Sequence, residues 1–186
     1  MLETHTFLEE GEFTRITDPL RTAAERVGAK AFRDISKLVG KLDYNPSARR
    51  AEFRARTAEQ ILRSGYTTGY ADDALVVVAL ARAKGIPARY VEAFEEGWLG
   101  SGILGGVQGH AFVEVLSSES WRMFDPRTGF TPNGDCVVEG RPHVEAGKGF
   151  DFGKVYVRQA GAYHPTPQRL NTPESLTALA SQLRGR

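Results

Sequence analysis

Apolar positions in the first third of the chain recur at helical spacing. Asp18-Pro19 is typical of a helix start, with Asp as the N-cap and Pro at the first helical position. Apolar side chains then follow at intervals of three and four residues, and Gly28 divides them into two predicted helices. Asn45-Pro46 predicts a turn, and Ser47 predicts the cap of a third helix that ends near Gly65.

The most apolar stretch of the chain covers residues 74–81. Its β-branched side chains would also suit a buried strand. The aspartates Asp72 and Asp73 before it, and the basic residues just before Gly85, favour a helix instead because each charge complements the helix dipole. Since this helix is apolar on nearly all sides, we expect it to lie inside the fold.

Beyond Gly85 the apolar pattern changes to alternation, which predicts strands. Four segments show it, the second and third forming a hairpin: 89–94, 109–116, 121–125 and 154–158. A glycine-rich loop over 97–109 separates the first two strands, and we leave open whether it forms a flap over a cleft or a packed surface loop. A final helix is predicted to end near Leu183. Helices followed by an antiparallel sheet indicate the α+β class.

Length and charge narrow the function classes. The chain has 186 residues, enough for one domain with a real core. Its 24 Lys and Arg nearly balance 23 Asp and Glu, for a net charge of +1, which argues against a protein built around nucleic acid. The third predicted helix is nonetheless basic, and at this net charge a solvated face is favoured over a nucleic-acid patch; its arginines are Arg49, Arg50, Arg54, Arg56 and Arg63.

Two further features bear on the setting of the protein. No apolar run approaches the length of a membrane span, so we expect no membrane insertion. Cys136 is the single cysteine, which excludes an internal disulfide and a multi-cysteine zinc site. A cytoplasmic protein is the default expectation.

One pair of residues has the spacing of an acid–base site. His110 lies in a predicted strand, and Asp125 lies roughly opposite it on the returning arm of the hairpin. A carboxylate beside an imidazole is how a histidine is oriented as a general base. The alternative is a half-buried strand histidine and an aspartate that starts a turn before Pro126, and spacing alone leaves both open.

Four blocks of the sequence resemble the core of the transglutaminase-like superfamily. They occur in the family's order, between about residues 57 and 130: Gly69-Tyr70-Ala71-Asp72-Asp73-Ala74, Leu80-Ala81-Arg82-Ala83-Lys84-Gly85-Ile86-Pro87-Ala88-Arg89-Tyr90-Val91, Gly109-His110-Ala111-Phe112-Val113-Glu114-Val115 and Trp121-Arg122-Met123-Phe124-Asp125-Pro126. The resemblance implies a papain-like α+β core in which a buried helix packs on an antiparallel sheet. We therefore expect an N-terminal helical segment (1–56), the core (57–130), and a C-terminal strand and helix (131–186) that complete one domain.

The family's chemistry is amide and acyl transfer through a Cys-His-Asp triad. The resemblance assigns His110 as the base and Asp125 as the acid that orients it, and we expect Asp72, Gly109 and Trp98 to contact the substrate. It also implies a peptide or protein amide as ligand and no organic cofactor. Some members use calcium, but the sequence has no acidic loop of calcium-binding pattern, and we expect no metal site.

The sequence departs from the family at the nucleophile, where Tyr70 stands in the position of the cysteine. Three functions follow as alternatives. The first is a catalytically impaired scaffold, or pseudoenzyme, that binds an amide. The second is an active hydrolase or acyltransferase that uses another nucleophile, or whose parent sequence has cysteine at position 70. The third is a plain interaction domain in which His110 and Asp125 are relics.

Overall fold

The computed structural model describes residues 7–28, 30–101 and 109–184. Its helices in chain order are α1 (Asp18–Glu25), α2 (Ala31–Val39), α3 (Arg49–Glu52), α4 (Ala58–Ser64), α5 (Tyr70–Ala83), α6 (Glu96–Ser101) and α7 (Pro173–Arg184). Its strands are β1 (Asp43–Tyr44), β2 (Tyr66–Thr67), β3 (Ala88–Glu95), β4 (Gly109–Ser117), β5 (Ser120–Asp125), β6 (Gly129–Phe130), β7 (Val137–Val138), β8 (Arg141–Asp151), β9 (Lys154–Gln159) and β10 (Ala162–Tyr163).

The main sheet is antiparallel, with strand order β10-β9-β8-β3-β4-β5-β6, and β7 pairs with β8 outside this path. A separate small sheet pairs β1 with β2 in parallel. Helix α5 packs on β3 and β4, and α1, α2 and α4 cover its remaining sides. The α+β prediction is confirmed, with helices packed on one face of an antiparallel sheet.

Helix α5 forms the centre of the core. Every residue from Asp72 to Arg82 is buried, as the apolar pattern on all sides predicts. Alternation along the strands sends Tyr90 and Phe94 of β3 towards this helix. The intervening Val91 and Ala93 point to the opposite face of the sheet, where they form a second, smaller apolar cluster.

The predicted third helix is divided into two. Arg54 adopts a left-handed backbone (φ 48°), which no helix continues through. Thr57 then starts α4 with a capping box: its side chain accepts a hydrogen bond from the Gln60 N–H, and the Gln60 side chain accepts one from the Thr57 N–H. The single helix predicted from Ser47 was therefore wrong, because a strong N-cap inside it begins a new helix.

The basic arginines of this segment do not form one solvated face. Arg54 and Arg56 are 6% and 8% exposed, and each is paired with a buried carboxylate. The expectation of a solvated face is wrong for these two residues, because their partners lie far away in sequence, on β3 and α5.

Strand β8 lies near the middle of the sheet, between β3 and β9, and alternation did not predict it. Its sequence contains Pro142 and two glycines, which weaken the strand pattern. The glycines are required by packing: a Cβ on Gly147 would lie 2.7 Å from the Tyr156 carbonyl oxygen, and one on Gly149 would lie 2.0 Å from that of Lys154. Close approach of β9 thus removes the side chains that would have marked the strand.

The loop predicted over 97–109 begins as helix α6, and residues 102–108, on which most of the flap hypothesis rests, lie outside the described residues. In the part of the chain that the structure describes, no helix combines the length and apolar character needed to cross a bilayer.

Candidate active site

The hairpin of β4 and β5 brings His110 and Asp125 together. Ser118 and Glu119 form its tight turn, both with positive φ, which matches the twist of the two strands. The register pairs Val113 with Phe124, so Asp125 lies diagonally across from His110 on the same face of the sheet. The His110 Nε2 to Asp125 Oδ2 distance is 2.6 Å, and the two side chains are only 3% and 2% exposed.

Asp125 is held as an anion. Its Oδ1 accepts hydrogen bonds from the backbone N–H groups of Arg127 (2.9 Å) and Thr128 (2.7 Å) in the turn after β5. Burial alone would raise the pKa of this carboxyl, but the hydrogen bonds from His110, Thr128 and Arg127 outweigh it and lower the pKa. The carboxylate therefore fixes the imidazole through Nε2 and leaves Nδ1 as the nitrogen for acid–base work.

Tyr70 occupies the first position of α5, directly after Gly69. Its ring lies on the His110 imidazole, with the ring centroids 4.0 Å apart and the planes inclined at 48°. The side chain is 46% exposed, so the phenol faces the open cleft rather than the core. The structure thus brings together Tyr70, His110 and Asp125, the three residues that the resemblance singled out.

Two other rings enclose the imidazole. The Phe112 centroid lies 4.5 Å from that of His110, and the His143 centroid lies 5.6 Å away. Burial lowers the pKa of His143, despite a hydrogen bond to the Arg141 carbonyl. His143 comes from β8, the strand that the pattern of the sequence did not indicate, so this neighbour was missed.

Two ion pairs fasten the N-terminal end of α5. Asp72 accepts hydrogen bonds from Arg56 Nη2 (2.6 Å) and from the Thr68 N–H and hydroxyl (2.8 and 2.9 Å). Asp73 accepts from Arg127 Nε (2.7 Å) and Nη2 (3.3 Å). Burial raises the pKa of Asp73, and the Arg127 guanidinium opposes it only in part. Asp72 thus lies two residues after Tyr70 with its charge balanced by Arg56.

A cleft of about 680 Å³ opens in front of these residues. Residues from four parts of the chain line it: Tyr44, Arg49, Phe53 and Arg54, then 68–73, 109–111 and Arg127. The predicted substrate contacts Gly109 and Asp72 are among the lining residues, and Trp98 is not. Trp98 instead packs beside Phe94 and beneath the Arg184 guanidinium of α7, on the core side of α6.

Cys136 is not among the residues that line the cleft. It is 9% exposed and belongs, with Phe112, to the smaller apolar cluster on the face of the sheet opposite α5. Burial, together with the negative charges of Glu145 and Glu114, raises the pKa of its thiol to about 12. A thiol of that acidity has almost no thiolate at neutral pH, so Cys136 is unsuited to nucleophilic chemistry.

The sequence did not single out the arginines of the cleft for a role in the site. Arg127 contributes both a backbone N–H to Asp125 and its guanidinium to Asp73, and Arg49 and Arg54 also line the cleft. No local pattern signals the ion pairs of Arg127 with Asp73 and of Arg54 with Glu92, since their members lie 54 and 38 residues apart. Among the described residues no group of three or more His, Cys, Asp or Glu side chains is placed to hold a metal ion.

Comparisons with known proteins agree with this geometry. One solved structure with a similar fold is that of a candidate cysteine protease from Cytophaga hutchinsonii, with a TM-score of 0.58 and 19% sequence identity. The alignment covers 80% of this chain and 47% of that protein, so the chain spans about half the length of its structural neighbour. No curated protein matches the sequence significantly. The sequence does match the family model of the transglutaminase-like superfamily over residues 14–126, and with the papain-like arrangement of α5 and the sheet this shows that the chain belongs to that superfamily.

Proposed function

We propose that this protein is a pseudoenzyme: a transglutaminase-like scaffold that binds a peptide or protein amide in its cleft and does not carry out cysteine-type acyl transfer. The observation that carries the proposal is the contact between Tyr70 and His110, with ring centroids 4.0 Å apart. An assembled His-Asp pair faces the start of a buried helix, where a tyrosine stands in place of a thiol.

Tyr70 is a poor substitute for a cysteine for two reasons. A phenol has a pKa of about 10 against about 8.5 for a thiol, so much less of it is ionised at neutral pH. The aromatic ring also carries the oxygen several ångströms past the place of a cysteine sulfur, where a misplacement of about 1 Å can already cost roughly 100-fold in rate. The ring lying against His110 fills the space that a reacting carbonyl would need.

For the alternative of an active enzyme with another nucleophile, Thr68 carries the one aliphatic hydroxyl among the described residues that line the cleft. Thr68 lines the cleft, but its hydroxyl donates a hydrogen bond to Asp72 Oδ2 (2.9 Å). That carboxylate is already neutralised by Arg56 and sits at the start of α5, an arrangement typical of a turn and cap. In the third alternative, a plain interaction domain, the surroundings of His110 would not support acyl transfer even to a thiol placed at position 70.

We also propose a cytoplasmic location, because the single cysteine is buried and has no disulfide partner in the chain.

Acyl transfer from p-nitrophenyl acetate distinguishes the three alternatives. In the double variant Tyr70→Cys, Cys136→Ser, the thiolate introduced at position 70 is expected to attack the ester carbonyl, forming a thioester as the nitrophenolate leaves. The matched control is Tyr44→Cys in the same Cys136→Ser background. Tyr44 also lines the cleft and is comparably exposed, at 54%. Mass spectrometry of the digested protein then measures acetylation at each position.

We expect Tyr70→Cys to be acetylated about tenfold faster or more at pH 6 than Tyr44→Cys, because a helix start and an imidazolium both stabilise a thiolate. His110→Ala should remove the difference, and the wild-type chain should show no His110-dependent acetylation of Tyr70. Acetylated Tyr70 in the wild type would instead support an active enzyme. Equal rates at positions 70 and 44 would leave only an interaction domain.

A further inference from the structure

The cleft carries an unequal set of charges. Three arginines line it, Arg49, Arg54 and Arg127, against two aspartates, Asp72 and Asp73. A lining side chain can offer its charge to a ligand only if that charge is not already paired inside the protein. Whether each charge is paired therefore decides which kind of ligand the walls can receive.

Both aspartates are neutralised internally. Asp72 is paired with Arg56, whose side chain is 10% exposed, and Asp73 is paired with Arg127. A cationic group of a ligand would have to compete with the Arg56 and Arg127 guanidinium groups for these carboxylates. The cleft therefore presents no available anion among its described lining residues.

The Arg54 guanidinium is also hydrogen-bonded inside the protein, except at one of its nitrogens. Its Nη1 and Nη2 donate to Glu92 at 2.7 and 2.9 Å, and Nη1 also donates to the Leu170 carbonyl. Its Nε is buried and has no hydrogen-bond partner. Arg54 thus keeps one unsatisfied hydrogen-bond donor, although Glu92 balances its charge.

Arg49 has no partner. Its side chain lines the cleft, is exposed, and makes no ion pair or hydrogen bond with another described residue. The same cleft is lined by Tyr44, which with Tyr70 makes two of the four large apolar side chains that are exposed in the described part of the chain. Tyrosine and arginine are the residue types that dominate binding hot spots. The part of the lining formed by Tyr44 and Arg49 therefore has the composition of a recognition surface and a net positive charge.

We infer that the amide ligand of this cleft is acidic, a peptide or protein segment whose carboxylate binds Arg49 while its amide lies beside Tyr70 and His110. The inference rests on the proposed function and specifies its ligand. Charge complementarity carries it: the free charge on the lining is that of Arg49, and a planar guanidinium matches a carboxylate with two parallel hydrogen bonds.

A set of peptide electrophiles tests the inference in the Tyr70→Cys, Cys136→Ser background. Each probe is a bromoacetyl peptide amide that ends in Glu or in its neutral isostere Gln, separated from the bromoacetyl group by no, one or two glycines. The thiolate introduced at position 70 displaces bromide and forms a thioether, so the alkylation rate reports how well each probe fits the cleft. The spacers let the carboxylate sample the distance between position 70 and Arg49.

At low ionic strength the Glu probe should react about threefold to tenfold faster than the Gln probe at the best spacer length. The ratio should fall with added salt. Arg49→Ala should bring it close to one. Arg50→Ala, a change of the same charge at the next residue of α3 that does not line the cleft, should leave it unchanged.

Ratios near one at every spacer, or an equal loss in Arg49→Ala and Arg50→Ala, would overturn the inference. Bromoacetamide, which is small and neutral, separates this result from failure of the proposed function. Its rate should depend on His110 and not on Arg49. If that dependence on His110 is absent, the proposed function fails; if it is present and the Glu preference is absent, only the acidic ligand is wrong.

Discussion

At the scale of single residues, the site has two parts of different character. His110 and Asp125 are buried, hydrogen-bonded to one another, and supported by two backbone N–H groups. Tyr70 is half exposed, and its ring contacts the His110 imidazole at the site. The His110–Asp125 pair therefore depends on the fold around it, whereas Tyr70 can be exchanged with little effect on the core.

The Asp125 carboxylate should contribute measurably to stability. We expect Asp125→Asn to lower the free energy of unfolding by about 1–3 kcal/mol at pH 7, because it removes the charge that His110 and two N–H groups contact. Urea denaturation measures the change. Asp135→Asn, at an exposed aspartate away from the His110–Asp125 pair, is the control and should be neutral.

The effect should also depend on pH. The pKa of Asp125 is lower in the folded protein than its ordinary value of 3.8. Its stabilising contribution is thus complete above that value and is lost as pH falls through the folded-state pKa. The difference between wild type and Asp125→Asn should shrink below about pH 4. A difference that stays constant down to pH 2 would contradict an ionised Asp125.

At the scale of elements, the site exists because the start of α5 meets the open end of the β4–β5 hairpin, opposite its turn. Arg127 joins the two, since its backbone N–H contacts Asp125 and its guanidinium contacts Asp73. Tyr70 lies one turn before Asp73 on the same helix. The distance between Tyr70 and His110 is thus set by an ion pair that lies just beside it.

Arg127→Ala should loosen this junction. It leaves the Asp73 carboxylate, 1% exposed, without its cation, and we expect a loss of about 1–3 kcal/mol at pH 7. That is below the cost for a fully enclosed pair, because the Arg127 side chain is 35% exposed and water screens it.

The pH dependence and a second substitution identify the cause. Burial already raises the pKa of Asp73, so its charged form is disfavoured in the fold, and the loss in Arg127→Ala should grow as pH rises from about 4 to 7. Thermal unfolding at several pH values follows this trend. Adding Asp73→Asn should recover at least part of the stability at pH 7. If it recovers nothing, the ion pair is not what joins α5 to the hairpin.

At the scale of the whole molecule, the cleft is assembled from segments that are far apart in sequence. Its lining comes from four positions between 44 and 54, from 68–73, from 109–111 and from Arg127. Strand β8 supports the arrangement from the middle of the sheet, through its pairing with β3. The residues after 130 are thus part of the same sheet that carries His110.

This distribution explains what the sequence could and could not predict. Helix α5 and the hairpin follow from local periodicity and a tight turn, and both could be predicted. Spacing left the pairing of His110 with Asp125 open, and only the resemblance to the transglutaminase-like superfamily implied it. The ion pairs of Arg54 with Glu92 and of Arg127 with Asp73 could not, because they depend on contacts between distant segments. Strand β8 was not predicted, because the close packing of β9 requires glycine at positions where an alternating pattern would need side chains.

The central claim is that position 70 is the nucleophile position of an assembled site. Its most direct test is the pH dependence of iodoacetamide alkylation of Tyr70→Cys, in a Cys136→Ser background, beside Tyr44→Cys and with or without His110→Ala. The account predicts that the thiol introduced at position 70 has a pKa at least about one unit below the ordinary value of about 8.5, and that His110→Ala removes most of this shift. A thiol at position 70 that titrates like the one at position 44, with or without His110, would contradict it.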